Sequence, residues 1–173
     1  MRQIILLFCG ITTFLVAMVP EAKAQVTMSA TATAEVIEAL STKETSQLNF
    51  GRFSPKAQGG KIILTPEGTI SVQGNVVLEG GTQNAASFSI TGQYDATFSI
   101  SLPLGPETLI NFKNDKTIQV SDWKSSPAQG IGAGILTSGE LTVRIGASLT
   151  VGDMNANPVG LYSGSYAVTF GYN

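Results

Sequence analysis

Histidine is absent from all 173 residues, and cysteine occurs once, at Cys9. Without imidazole, no Ser-His or Cys-His nucleophile can be assembled, and no zinc site built on imidazole or thiolate groups. Any catalysis would fall to carboxylates, lysines or tyrosines. Charge is also sparse, at 13% of residues, and no basic cluster is present to grip a phosphate backbone, so nucleic acid is not an expected partner. After the first two dozen residues, no apolar run approaches the ~20 residues that a membrane-spanning helix needs.

The start of the chain, "MRQIILLFCGITTFLVAMVPEAKA", has the three parts of a secretory signal peptide. Arg2 gives the positive start, Ile4 to Val19 the apolar run, and Ala22-Lys23-Ala24 the small-x-small cleavage pattern. Cleavage after Ala24 is expected. A retained anchor is the alternative, disfavoured by Gly10, Thr12 and Thr13 within the run. A lipoprotein reading of Cys9 fails, because eight preceding residues cannot hold both a charged start and an apolar run. The mature chain, 25–173, would then be one domain with no thiol and no disulfide. Losing Arg2, Lys23 and Glu21 changes 10 basic and 12 acidic residues to 8 and 11, a net charge of −3. The expected location is the periplasm, cell surface or extracellular space of a bacterium. The expected product is not an integral membrane protein once the signal is removed.

What the mature chain has in abundance is period-two alternation, the signature of strands whose side chains point to opposite faces. "VTMSATATAE" places Val26, Met28, Ala30, Ala32 and Ala34 on one parity and hydroxyls with Glu35 on the other. "LNFGRF" (48–53) reads as a short strand. "KIILTPEGTISVQG" (61–74) reads as two strands about a Pro66-Glu67-Gly68 turn. "ASFSITG" (86–92), "ATFSISLP" (96–103), "TIQVSDW" (117–123) and "ELTVRIGASLTVG" (140–152) continue the pattern. The end, "YSGSYAVTFGYN", sets Tyr162, Tyr166, Val168, Phe170 and Tyr172 on one parity with Gly164. Helices should be minor; only 37–47 leaves room for a helical turn. The segment 125–139 reads as the longest loop. Many short strands with this much Phe, Ile, Val and Leu predict an all-β protein, an antiparallel β-sandwich of immunoglobulin-like topology in a single domain.

Few residues suggest chemistry. "GIGAG" (130–134) is not followed by a helix whose amides would hold phosphate, so it reads as flexible loop. "NFKNDK" (111–116) offers Asn111, Asn114 and Asp115 as oxygen ligands but only one carboxylate, and reads as a polar turn. Trp123, the only tryptophan, reads as core or half-buried packing in preference to a sugar-stacking platform. Glu107, Asp115, Asp122 and Glu140 are far apart in sequence and sit in no motif that would pair them across a cleft. No enzyme, cofactor or metal is expected.

"LNFGRF", "GTQNAASFSITG", "GASLTVG" and "GLYSGSYAVTFGYN", in that order and spacing, resemble the bacterial secreted family catalogued as domain of unknown function 4402. That family has no established activity, so the resemblance implies a compartment and a fold type. A more limited likeness is to pilus subunits of the chaperone–usher kind, including the archaic branch. Those are immunoglobulin-like sandwiches lacking their last strand, completed by an alternating N-terminal extension of the next subunit. They tend to carry a penultimate tyrosine and a glycine fourteen residues from the end, positions held here by Tyr172 and Gly160. Many carry a disulfide, which the mature chain lacks.

The likeness implies two candidate elements. Val26, Met28, Ala30, Ala32 and Ala34 would be a donated strand, with Val36 to Leu40 beginning the subunit's own first strand. Gly160, Tyr162, Gly164, Tyr166, Val168, Phe170 and Tyr172 would form the strand that pairs with a periplasmic chaperone, an usher-bound partner or another copy. The expected function is a fimbrial, pilin-like structural subunit. The alternative is a self-complete sandwich that binds a glycan or protein through loops such as 104–115 and 124–138, with Val26 to Val36 as its own first strand beside the C-terminal one.

Overall fold

The computed structural model describes residues 25–173, so the expected signal peptide (1–24) and Cys9 lie outside the described residues. Residues 25–35 belong to a separate unit and contain no strand. The second unit, Val36–Asn173, holds every regular element. Among its residues no helix is long and apolar enough to cross a membrane.

Twelve strands follow in order: β1 (Ser41–Ser46), β2 (Asn49–Phe50), β3 (Phe53–Leu64), β4 (Ile70–Leu78), β5 (Gln83–Asn84), β6 (Ala86–Thr91), β7 (Thr97–Ser101), β8 (Glu107–Asn111), β9 (Lys116–Ser126), β10 (Gly130–Ile135), β11 (Glu140–Val151) and β12 (Thr169–Tyr172). All pairings are antiparallel. Seven strands make one sheet, β10-β7-β12 a second, and β2-β5 a short third. The sheets curl into a half-barrel, the all-β, sandwich-like architecture that the alternation predicts.

The organising strand is β11. Its first half, Glu140–Ile145, pairs with β6, and its second, Ala147–Val151, pairs with β3, while β9 runs along its opposite edge. The change of partner falls at Gly146. A Cβ there would strike the carbonyl oxygen of Leu64 and the backbone of Thr65 and Pro66. The core divides at the same point. Val143 and Ile145 join Ile90, Phe98, Ile100 and Leu136 in one cluster. Ala147, Leu149 and Val151 join Phe50, Ile62, Leu64, Ile118 and Val120 in the other.

The expected hairpin at 61–74 is present, closed by Gly68 N–H to the Thr65 carbonyl at 2.9 Å. Three expectations need correction. The stretch 125–139 is not a long loop: β9 continues to Ser126 and β10 pairs with β7. Glycine makes that pairing possible, because Gly134 lies against the Phe98 ring where a side chain would not fit, and the register slips between Gly130 and Gly134. The stretch 104–115 is likewise occupied by β8 and its turn into β9, so neither proposed binding loop is a free loop. The ambiguity at 37–47 resolves to extended backbone over 41–46, where β1 pairs with β6. Finally, Val36 to Leu40 do not begin a strand; the first ladder residue is Ser41.

Overpacking a backbone–backbone approach typically costs 1–3 kcal/mol. We therefore expect Gly146→Ala to lower stability by ~2 kcal/mol, a fall in Tm on the order of 5 °C. Gly105→Ala, where a Cβ meets nothing, should change stability by less than ~0.5 kcal/mol. Urea melts of both variants check the contrast; equal effects would remove Gly146 from its role.

Candidate functional site

The C-terminal run keeps its alternation but not its ladder. Tyr162, Tyr166, Val168, Phe170 and Tyr172 are all half-buried, while Leu161, Ser163, Ser165, Ala167 and Thr169 are exposed. Tyr162 packs on the first core cluster, and Tyr166, Val168, Phe170 and Tyr172 pack on the second. The side chains thus face inward as the period predicts. The backbone is pinned only at the ends. Ser163 forms an isolated bridge with Ile110, with hydrogen bonds of 2.8 and 3.1 Å, and Thr169–Tyr172 pair with β7. Between them, Gly164–Val168 enter no ladder and make no backbone–backbone hydrogen bond among the described residues. Beyond this gap, among the described residues, β12 has a strand neighbour on one edge only.

Each inward side chain has a defined seat. The Tyr162 hydroxyl donates to the Pro158 carbonyl at 2.8 Å. Gly160 lies over the buried Asn111 carboxamide, and a Cβ there would collide with it. The Asn111 oxygen accepts from Lys113 N–H at 3.1 Å and so caps the β8–β9 turn, while its Nδ2 has no partner. Gly164 passes close to the Thr108 carbonyl. Tyr166 stacks on Trp123 with centroids 4.6 Å apart. Phe170 meets Phe88 at 5.7 Å and Phe98 edge-on at 6.1 Å. The Tyr172 hydroxyl accepts from Gln93 N–H at 2.7 Å and donates to the Glu38 carbonyl at 3.0 Å. That second bond ties the chain before β1 to the end of the C-terminal strand.

A cleft of about 420 Å³ opens at the Tyr162 end of this strand. Leu48, Phe50, Leu109, Ile118 and Leu149 line it opposite the chain from Pro158 to Tyr162. At the other end the aromatic side chains just described pack on one another and on the second core cluster. The site is therefore a strand edge that is roomy at one end and packed at the other.

The remaining candidate residues do not come together into a site. "GIGAG" is β10. "NFKNDK" is the β8–β9 turn, with Asp115 at φ 57° and its N–H bonded to the Asn111 carbonyl at 2.9 Å. Asp122 pairs with Lys61 at 2.9 Å, and hydrogen bonds from Lys61 and Ser148 hold its carboxyl below the usual range. Glu140 accepts from Ser89 at 2.8 Å. Glu107 starts β8. Among the described residues no three His, Cys, Asp or Glu side chains gather as metal ligands. Trp123 is half-buried, one face on Tyr166 and its indole N–H directed to the Gly105 carbonyl at 3.3 Å.

The donor candidates Val26, Met28, Ala30, Ala32 and Ala34 are all exposed, Val26 at 93% and Met28 at 89%. The cleft, the Trp123–Tyr166 stack and the Glu38–Tyr172 tie escaped the sequence reading. Only the aromatic parity of the terminus hinted at them.

Fold and edge together define an all-β antiparallel, sandwich-like protein with an open C-terminal strand. The chain belongs to the family described as domain of unknown function (DUF4402), whose model matches residues 40–172. No curated protein and no solved structure matches it.

Burial raises the Tyr166 phenol to about 12, and the negative charge of Glu44 adds to the shift. A raised acid is protonated in the folded state after the unfolded chain has ionised. Its contribution is intact below the ordinary tyrosine value of about 10 and declines as pH rises through 12. We expect Tyr166→Phe to flatten the alkaline loss of stability between those limits, and to cost little at neutral pH because the hydroxyl has no partner. Urea midpoints across that range measure it; identical alkaline slopes for the two proteins would contradict the assignment.

Proposed function

We propose that this chain is an exported, non-enzymatic structural subunit of a bacterial surface fibre, pilin-like in its assembly. The observation that carries the reading is the interrupted pairing of the C-terminal strand, with side chains seated and, among the described residues, the backbone unpaired from Gly164 to Val168. An exposed strand edge is a template for another strand, and β-augmentation satisfies it with backbone hydrogen bonds. The alternating run Val26, Met28, Ala30, Ala32, Ala34 supplies such a strand from a neighbouring copy. Before assembly, a periplasmic chaperone pairs with the same edge from Tyr162 to Tyr172 and delivers the subunit to an usher.

Alanine plugs bury little apolar area, at roughly 25 cal/mol per Å². They suit this edge because Trp123, Tyr166 and Phe170 already fill most of it. What the incoming strand contributes there is mainly backbone pairing.

Deleting residues 25–34 is expected to leave the far-ultraviolet circular dichroism of the body unchanged and to abolish assembly. A synthetic peptide spanning those residues should bind the truncated subunit and raise its Tm. Truncated chains that still assemble would overturn the reading. So would a full-length chain that stays monomeric through reversible melting, which would favour a self-complete binding module.

A further inference from the structure

The size gradient of the edge matches the size gradient of the leader, and the match has a direction. The geometry points to a donated strand that runs parallel to the acceptor's C-terminal strand, with Met28 of a second copy anchored in the cleft beside Tyr162. This rests on the strand-donation reading above and adds its polarity and its anchor.

The leader has two large apolar residues, Val26 and Met28, followed by three alanines. The acceptor has a 420 Å³ cleft at Tyr162 and then a floor occupied by the Trp123–Tyr166 stack and the Phe88–Phe170–Phe98 group. With Met28 beside Tyr162, Ala30 falls beside Gly164, Ala32 beside Tyr166 and Ala34 beside Val168. The unpaired backbone then meets a segment whose inward side chains are all alanine methyls, and the cleft receives the flexible thioether side chain suited to an irregular space. Val26–Ala34 and Gly160–Val168 have equal length, about 26 Å when extended. The reverse direction sets Met28 against the filled aromatic end and leaves a lone methyl at the cleft. The occupant is the same segment of a second copy, whose Val26 and Met28 are exposed apolar side chains.

The mature chain has no cysteine of its own, which makes cross-linking a clean test. Thr27→Cys with Leu161→Cys should give oxidised ladders between subunits. Thr33→Cys with Leu161→Cys, the pair that the antiparallel direction would bring together, should not. A ladder from the second pair, or a closed monomer from the first, overturns the proposal. So does no cross-link from either pair while wild-type subunits assemble. Wild-type subunits that never assemble defeat the strand-donation reading itself. Independently, Met28→Ala should weaken binding of the leader peptide to the truncated body by about thirtyfold or more. Ala32→Ser, a change of one atom at the packed end, should not. Equal losses would deny Met28 its anchor.

Discussion

Everything in this fold turns on where the backbone hydrogen bonds of the last strand go. Each peptide unit carries a donor and an acceptor that need partners. At Thr169–Tyr172 β7 supplies them, and at Ser163 Ile110 does. Between these pins no ladder holds the chain among the described residues. The side chains hold it instead, through the stack on Trp123 and the contacts of Phe170 with Phe88 and Phe98. Packing and backbone pairing usually arrive together in a strand. Here, among the described residues, they are separated over five residues, and this is the segment that the strand-donation proposal assigns to a neighbour.

That separation depends on the body behind it. Because β11 changes partner at Gly146, one strand serves two halves of the core. Trp123 and Leu48 touch both clusters, and the C-terminal run crosses from one to the other, Tyr162 on the first and Tyr166 to Tyr172 on the second. The edge is therefore anchored to the whole core and not to a peripheral flap. Glycine does the local fitting: Gly160 clears Asn111, Gly164 clears the Thr108 carbonyl, and Gly92 leaves room for the Tyr172 hydroxyl.

Much of this was legible as alternation. β6, β7, β11 and the β3–β4 hairpin fall where the period places them. The strands that escaped share a physical reason. β10 is "GIGAGI", whose glycines erase any inward–outward signal, and β8 follows a Pro- and Gly-rich approach that reads as loop. A deeper limit concerns partners. Period two reports which way a side chain points and is silent on which strand takes the peptide groups. The terminus shows this directly, for its inward residues are as expected while its ladder stops short. Residues 26–34 show it too, since their perfect alternation accompanies no strand among the described residues.

On the strand-donation proposal, the composition of residues 25–34, the donated leader, follows from the same separation. A strand rich in Ile, Leu and Phe would bury more apolar area but would also collapse onto any greasy surface before reaching its place. An alternating alanine strand lacks that drive, since at roughly 25 cal/mol per Å² its methyls contribute little alone. Its gain comes when both backbones pair over a floor already packed by aromatic rings, where each hydrogen bond is shielded from water. Specificity then resides in the edge that lacks a partner and in the cleft beside Tyr162, while the small side chains keep the leader compatible with a floor that has no further room.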